Sequence, residues 1–158
     1  MSFISNTVIG RLWPFGGPSP DDIRQTAALC YRKRAEGIEV LLVRSSRGRW
    51  ILPKGWPEDG LTDAETARLE AWEEAGVSRG TIEDDPVATV ESEKLRKDGV
   101  AQKSEIAVYP LEVDKTVSRY PEAGSRERRW LPLSKAVTTI DDDGMREALE
   151  EFAAQHAA

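Results

Sequence analysis

The chain has 158 residues, with 22 Lys and Arg against 28 Asp and Glu, a formal net charge of −6 and 39% hydrophobic residues. That length corresponds to one domain, and the apolar share suffices for a core, which excludes a globally disordered chain. A lone Cys30 and a lone His156 argue against an internal disulfide, a thiolate zinc cluster, a multi-histidine metal centre and a histidine-based triad, leaving carboxylates, cationic groups and hydroxyls for any chemistry.

Residues 1–20 carry scattered apolar side chains followed by Pro14, Gly16, Gly17, Pro18 and Pro20. They read as a flexible N-terminal arm preceding a domain over 21–158. Without basic residues ahead of its apolar positions, the arm does not read as a signal peptide. No apolar run approaches the roughly 20 residues needed to span a bilayer, so no membrane partner is expected. The cysteine usage fits a reducing, cytoplasmic location, and net acidity makes nucleic acid an unlikely partner while leaving room for a local basic pocket. Composition says nothing of oligomeric state.

Arg24–Arg32 and Glu39–Arg44, the second holding Val40-Leu41-Leu42-Val43, read as buried strands turning at Gly37. Arg49–Leu52 reads as a short third strand stopped by Pro53, and a loop with Gly55, Pro57 and Gly60 follows. Thr62 with Glu65 three residues on forms a capping box, and Gly76 is a C-terminal stop, which predicts a helix over Asp63–Ala75. Val87–Leu95 and Val100–Val113 read as a strand pair turning at Asp98-Gly99, Arg128–Leu133 as a further strand, and Gly144–Gln155 as a helix with Met145, Ala148, Leu149 and Phe152 on one stripe. Strands, helix, strands and helix in that order predict a mixed α/β or α+β layered domain.

The central helix carries the informative pattern. At 100° per residue, Ala64, Ala67, Ala71, Trp72 and Ala75 gather on one side, and Glu70, Glu73 and Glu74 are expected on the opposite side. Three carboxylates within a turn repel one another, and a divalent cation relieves that repulsion. Hard oxygen ligands suit Mg²⁺ or Mn²⁺, which in turn bind phosphate. The alternative is a solvated acidic face.

The frame around these residues favours the metal. Gly55, then Glu70-Ala71, Glu73-Glu74 and Gly76-Val77, approached by Arg49-Trp50-Ile51-Leu52-Pro53-Lys54, resembles the signature of the Nudix hydrolase superfamily. The similarity extends through Val40–Arg47 and Arg128–Leu133, and within the superfamily the chain looks most like the diphosphoinositol polyphosphate and diadenosine polyphosphate hydrolase branch. The resemblance implies a Nudix-type α/β/α sandwich with a mixed sheet. It also implies a metal-dependent pyrophosphohydrolase that cleaves a small-molecule phosphoanhydride by water attack at phosphorus, on a dinucleoside polyphosphate, a diphosphoinositol polyphosphate or a related nucleoside diphosphate derivative.

By match to the signature, Glu70, Glu73 and Glu74 are the expected catalytic and metal-binding residues, with the Gly55 carbonyl as a further ligand. Ser45, Arg47, Arg49, Lys54 and Arg128 are the expected substrate contacts. Glu70, Glu73, Glu105 and Glu122 stay open as general base, and Trp50, Trp56 and Trp130 read as packing residues rather than base-stacking ones, with Trp56, in the loop after Gly55, the best candidate of the three to touch a ligand. Where the signature has an ion-paired Glu and Arg, this chain has Leu61 and Leu69, and a leucine contact is expected to replace the salt bridge. Two other functions fit the same pattern: a non-catalytic Nudix-like module that binds a nucleotide or polyphosphate, and an RNA 5′-end pyrophosphatase.

Overall fold

The computed structural model describes residues 23–95 and 98–157; the arm expected over residues 1–20 lies outside them. The elements are β1 (Ile23–Arg34), β2 (Gly37–Arg44), β3 (Trp50–Ile51), β4 (Lys54–Gly55), α1 (Asp63–Ala75), β5 (Val77–Ile82), β6 (Ala88–Leu95), β7 (Ala101–Thr116), β8 (Arg128–Pro132), α2 (Leu133–Thr139) and α3 (Asp143–Gln155).

The strands form one eight-stranded mixed sheet ordered β3-β2-β1-β7-β5, with β4 on β1, β6 on β7 and β8 on β2. Among the described residues, only the pairing of β1 with β7 is parallel, from Ile23 opposite Ser104 to Tyr31 opposite Glu112. β1 is buried on both faces, which explains its unbroken run Ala27-Ala28-Leu29-Cys30 where a half-exposed strand would alternate. Successive side chains of a strand point to opposite faces. The Tyr31 ring meets Phe152 of α3 at 4.8 Å between centroids, whereas its neighbour Cys30 lies within the electrostatic reach of Glu74 on α1. The two long helices therefore cover opposite faces of the sheet, and the layers are α/β/α as expected.

Local chemistry sets the ends of α1. Glu65 N–H donates to Thr62 Oγ1 at 3.1 Å while Thr62 N–H donates to Glu65 Oε1 at 2.8 Å, and Gly76 turns left-handed with φ 70°. The helix spans Asp63–Ala75, as predicted. In α3, Asp142 caps the N-terminus by accepting from Met145 N–H at 2.8 Å, and the stripe Met145, Ala148, Leu149 and Phe152 is fully buried.

Three elements were not anticipated. β4 is a two-residue stretch created by its pairing, with Thr26 opposite Gly55 and Ala27 opposite Lys54. β5 is polar and irregular in sequence, and forms because the far end of β7 supplies its partners from Leu111 to Thr116. α2 begins where Pro132 ends β8, so the strand expected to reach Leu133 stops one residue earlier. Trp50 and Trp130 are half-buried against the core, as expected of packing residues.

Candidate active site

A cleft of about 420 Å³ opens where the loops around β3 and β4 meet the C-terminal half of α1. Its lining includes Ser45, Arg47, Arg49, Lys54, Gly55, Glu70 and Glu74, so seven of the nine residues singled out from sequence converge there. Trp56, the cleft's aromatic side chain, lies beside them. Glu73 and Arg128 are outside the lining.

Two backbone contacts hold the floor of this cleft. Ala28 N–H donates to the Pro53 carbonyl at 2.9 Å, and Lys54 N–H points at Glu74 Oε1 at 3.4 Å, which pins the segment before Gly55 between β1 and α1. Gly55 is required by space. A Cβ there would lie 2.2 Å from both Cδ and Oε2 of Glu70, so the carboxylate presses directly on the glycine backbone.

The helix orientation corrects one expectation. Glu74 does not face away from the alanine stripe; it is only 6% exposed, in the seam between α1 and the sheet with Ala67, Ala71 and Ala75. A spacing of seven residues returns a helical side chain to within about 20° of the same direction, so Glu74 stands almost directly above Ala67. Burial pushes the Glu74 carboxyl up to about 8, reinforced by its hydrogen bond to Glu70 and opposed by the Arg126 guanidinium. Burial also raises Glu70, against the lowering effect of that shared hydrogen bond. Both carboxyls are thus held above their usual range, at the C-terminal end of a helix with no basic residue in its last turn, where the dipole already disfavours negative charge.

Glu73 is outside the cleft lining but near enough for its charge to raise Glu70 further, and its carbonyl accepts from Glu122 N–H at 3.0 Å. Among the described residues no three acidic, histidine or cysteine side chains converge as a metal cage, which differs from the three-glutamate set expected from sequence. The donor set in the cleft is the Glu70 and Glu74 carboxylates beside the Gly55 backbone. These hard oxygen donors, two carboxyl groups held close together beside a backbone carbonyl, fit Mg²⁺ or Mn²⁺.

The cationic side of the cleft is built by a tight turn. Gly48 N–H donates to the Ser45 carbonyl at 2.8 Å, and Ser45 N–H donates to the Arg49 carbonyl at 2.7 Å while Ser45 Oγ accepts from Arg49 N–H at 3.1 Å. Arg49 reaches across to the Asp141 carbonyl, and Trp50 N–H donates to Asp141 Oδ2 at 2.7 Å, locking the turn to the loop ahead of α3. Arg126 comes from the far side, paired with Glu122 at 2.6 Å.

Arg128 has another place. It donates to the Ala75 carbonyl at 2.7 Å and lies 4.9 Å from the centroid of the Tyr120 ring, closing the C-terminal end of α1. Arg44 and Arg129 flank Trp50 outside the cleft. Of the carboxylates considered as base, only Glu70 lines the cleft; Glu73, Glu105 and Glu122 do not, and Glu105 lies beside Arg24 at 3.9 Å, whereas Glu58, not among those considered, is in the lining. Sequence reasoning missed Gln25, Glu58 and Asp142. Only the last had a signal, its position just ahead of a helix. Leu61 is 41% exposed, so the expected leucine contact is not buried where the signature has its ion pair.

The NUDIX domain family model matches residues 23–152, spanning the sheet, the first two helices, most of α3 and the cleft. The chain belongs to the NUDIX domain family. It is 37% identical over 124 residues to Nudix hydrolase 13, mitochondrial, of Arabidopsis thaliana, covering 73% of this chain and 59% of that protein. It is 29% identical to the asymmetrical bis(5′-nucleosyl)-tetraphosphatase of Sus scrofa, covering 82% of this chain and 92% of that protein. Across the first five Arabidopsis relatives the chain spans only 54 to 64% of their length. Among solved structures, this Nudix fold superposes on the C. elegans Ap4A hydrolase binary complex with a TM-score of 0.63 at 25% identity, over 84% of this chain and 96% of that one. It also shares the fold of the NUDIX domain of Shewanella oneidensis NrtR complexed with ADP ribose, with a TM-score of 0.66 at 17% identity, over 93% and 98% of the two chains. No helix among the described residues is long and apolar enough to cross a membrane.

Proposed function

We propose that this Nudix domain is a pyrophosphohydrolase that cleaves a phosphoanhydride bond in a small molecule by attack of water at phosphorus, with Mg²⁺ or Mn²⁺ as cofactor. The observation that carries the reading is the pairing of buried Glu74 with half-buried Glu70, the latter pressed against Gly55, in a cleft that also holds Arg47, Arg49, Lys54 and Arg126. Glu70, Glu74 and the Gly55 carbonyl would hold the ion. It would supply stabilisation of the charge that develops on the phosphoryl oxygens.

The chain's own residues do the rest. Arg47, Arg49, Lys54 and Arg126 orient the diphosphate, with arginine forks suited to two oxygens at once and Lys54 acting as a point charge. The hydroxyl of Ser45 is positioned beside them by its turn. Glu58, in the cleft, and Glu122, beside Arg126, are the carboxylates in place to accept the proton of the attacking water. Glu73 supports the site through its backbone contact to the Glu122 loop.

The Arabidopsis relatives whose names include mitochondrial or chloroplastic locations keep those locations as their own; for this chain a cytoplasmic location rests on its cysteine usage. Phosphate release from dinucleoside polyphosphates, inositol pyrophosphates and 5′-triphosphorylated RNA, with and without Mg²⁺ or Mn²⁺, tests the reading. Metal-dependent turnover of a small molecule is expected. Ligand binding with no turnover at any metal concentration would leave a binding module, and turnover confined to RNA would replace the substrate class.

A further inference from the structure

β3 is two residues long, Trp50–Ile51, and it is the outermost strand on its side of the sheet, paired with β2. Arg44 stands opposite Trp50 in that pair, and its N–H turns away from β3 to donate to the Glu127 carbonyl at 2.9 Å. In an antiparallel ladder, residues that face each other without exchanging bonds both point their backbone groups outward, so Trp50 presents its N–H and carbonyl to the free edge. A strand this short has little of its own to fix it, and the turn that carries Ser45 and Arg49 ends where it begins.

One residue covers that edge. Asp141 N–H donates to the Trp50 carbonyl at 2.8 Å, and Asp141 Oδ2 accepts from Trp50 N–H at 2.7 Å, so a side-chain carboxylate stands where a neighbouring strand would offer a carbonyl. The Asp141 carbonyl in turn accepts from the Arg49 guanidinium. That group carries five N–H donors in a rigid fork, and a bond to one of them orients the rest. Arg49 lines the cleft and Asp141 does not.

The segment around Asp141 is itself held from behind. Ile140 is fully buried, and its carbonyl accepts from Arg146, which also donates to the Val137 carbonyl at 2.9 Å. Asp142 accepts from Met145 N–H and from the Ser92 hydroxyl, so both of its oxygens are engaged in the fold. Asp141 differs from these neighbours. It is exposed, and it directs its carboxylate at the residue next to Arg49. Water can satisfy Trp50 N–H in its place, but water does not fix where the strand lies.

We infer that Asp141 is a positioning residue for the reaction: by clamping the free edge of β3 it holds the Arg49 guanidinium where a diphosphate docks. The inference rests on the phosphoanhydride reading of the cleft and assigns a role to a residue outside it.

The test titrates methylenediphosphonate, a diphosphate analogue that water does not cleave, calorimetrically into the full chain in magnesium buffer. D141A leaves the backbone groups of residue 141 in place and removes the carboxylate. Its affinity for the probe falls about 10- to 100-fold, the worth of one charge-assisted contact, with a melting temperature near wild type. D141N, whose amide oxygen still accepts from Trp50 N–H, retains most of the affinity. R49A loses a similar factor, and R49A/D141A loses no more than R49A, because Asp141 acts through Arg49. Unchanged affinity in D141A, losses that add in the double variant, or a D141A chain that fails to fold overturns the inference. Wild type that binds the probe but turns over no substrate counts against the hydrolase reading alone, because the binding cycle is measured without chemistry.

Discussion

Replacing Gly55 with alanine separates the site from the fold. Gly55 is not among the glycines with positive φ, so alanine meets no backbone strain there. The new methyl would start 2.2 Å from the Glu70 carboxyl carbon and 2.8 Å from its Cγ. Ordinary contact needs about 3.5 Å or more, so the carboxylate must retreat by over about 1 Å. Because it ends a flexible side chain, it can move without unfolding anything. A displacement of that size at a reacting centre costs on the order of 100-fold in rate, whereas alanine for glycine at a compatible backbone adds about 0.4–1 kcal/mol of stability through the unfolded state. G55A should therefore lose about two orders of magnitude in kcat/KM while its melting temperature stays level or rises. Phosphate-release kinetics and thermal denaturation on the same preparation measure both. Full activity, or a large drop in melting temperature with activity lost in proportion, would refute the steric argument.

Other substitutions probe the remaining parts. Glu74 is protonated in the folded metal-free protein at a pH where the unfolded chain has ionised it, so its contribution to stability is complete below about 4.5 and is lost as pH rises towards about 8. Metal-free wild type should thus lose more stability than E74Q across that window in denaturation curves, and saturating Mg²⁺ should narrow the gap, while E74Q turns over no substrate. R128M should cost about 1.5–3 kcal/mol in chemical denaturation by leaving the Ala75 carbonyl without its charged donor, with KM close to wild type. The Cys30 thiol, fully buried and pushed up to about 12, should resist alkylation at pH 8 until denaturant is added; rapid labelling of the native chain would contradict its burial.

What the sequence disclosed is what local chemistry fixes. The capping box at Thr62 and the left-handed Gly76 bound α1 to the residue, and the apolar run on β1 marked a strand covered on both faces. The pieces that stayed hidden depend on distant partners. β5 exists because β7 extends to Thr116, and Lys54-Gly55 is a strand only because Thr26 and Ala27 pair with it.

The same division holds in the cleft. Ser45, Arg47, Arg49, Lys54, Gly55, Glu70 and Glu74 sit on two consecutive stretches of chain, so their spacing brought them out. Gln25 and Glu58 come from positions with no pattern of their own. Arg128 was misplaced because charge alone does not distinguish a phosphate ligand from a helix cap, and Glu74 because a three-residue view of the helix overlooks its alignment with Ala67.

Paramagnetic titration of Mn²⁺ into wild type, E70Q and E74Q, each with a nucleoside diphosphate present, measures the central claim directly. Wild type should bind the ion at a single site against the diphosphate, and each glutamine variant should lose at least the 10- to 100-fold, in rough terms, that removal of even an outer partner costs a metal site. Equal Mn²⁺ affinity in all three proteins would show that the glutamate pair under Gly55 is not where the cation binds.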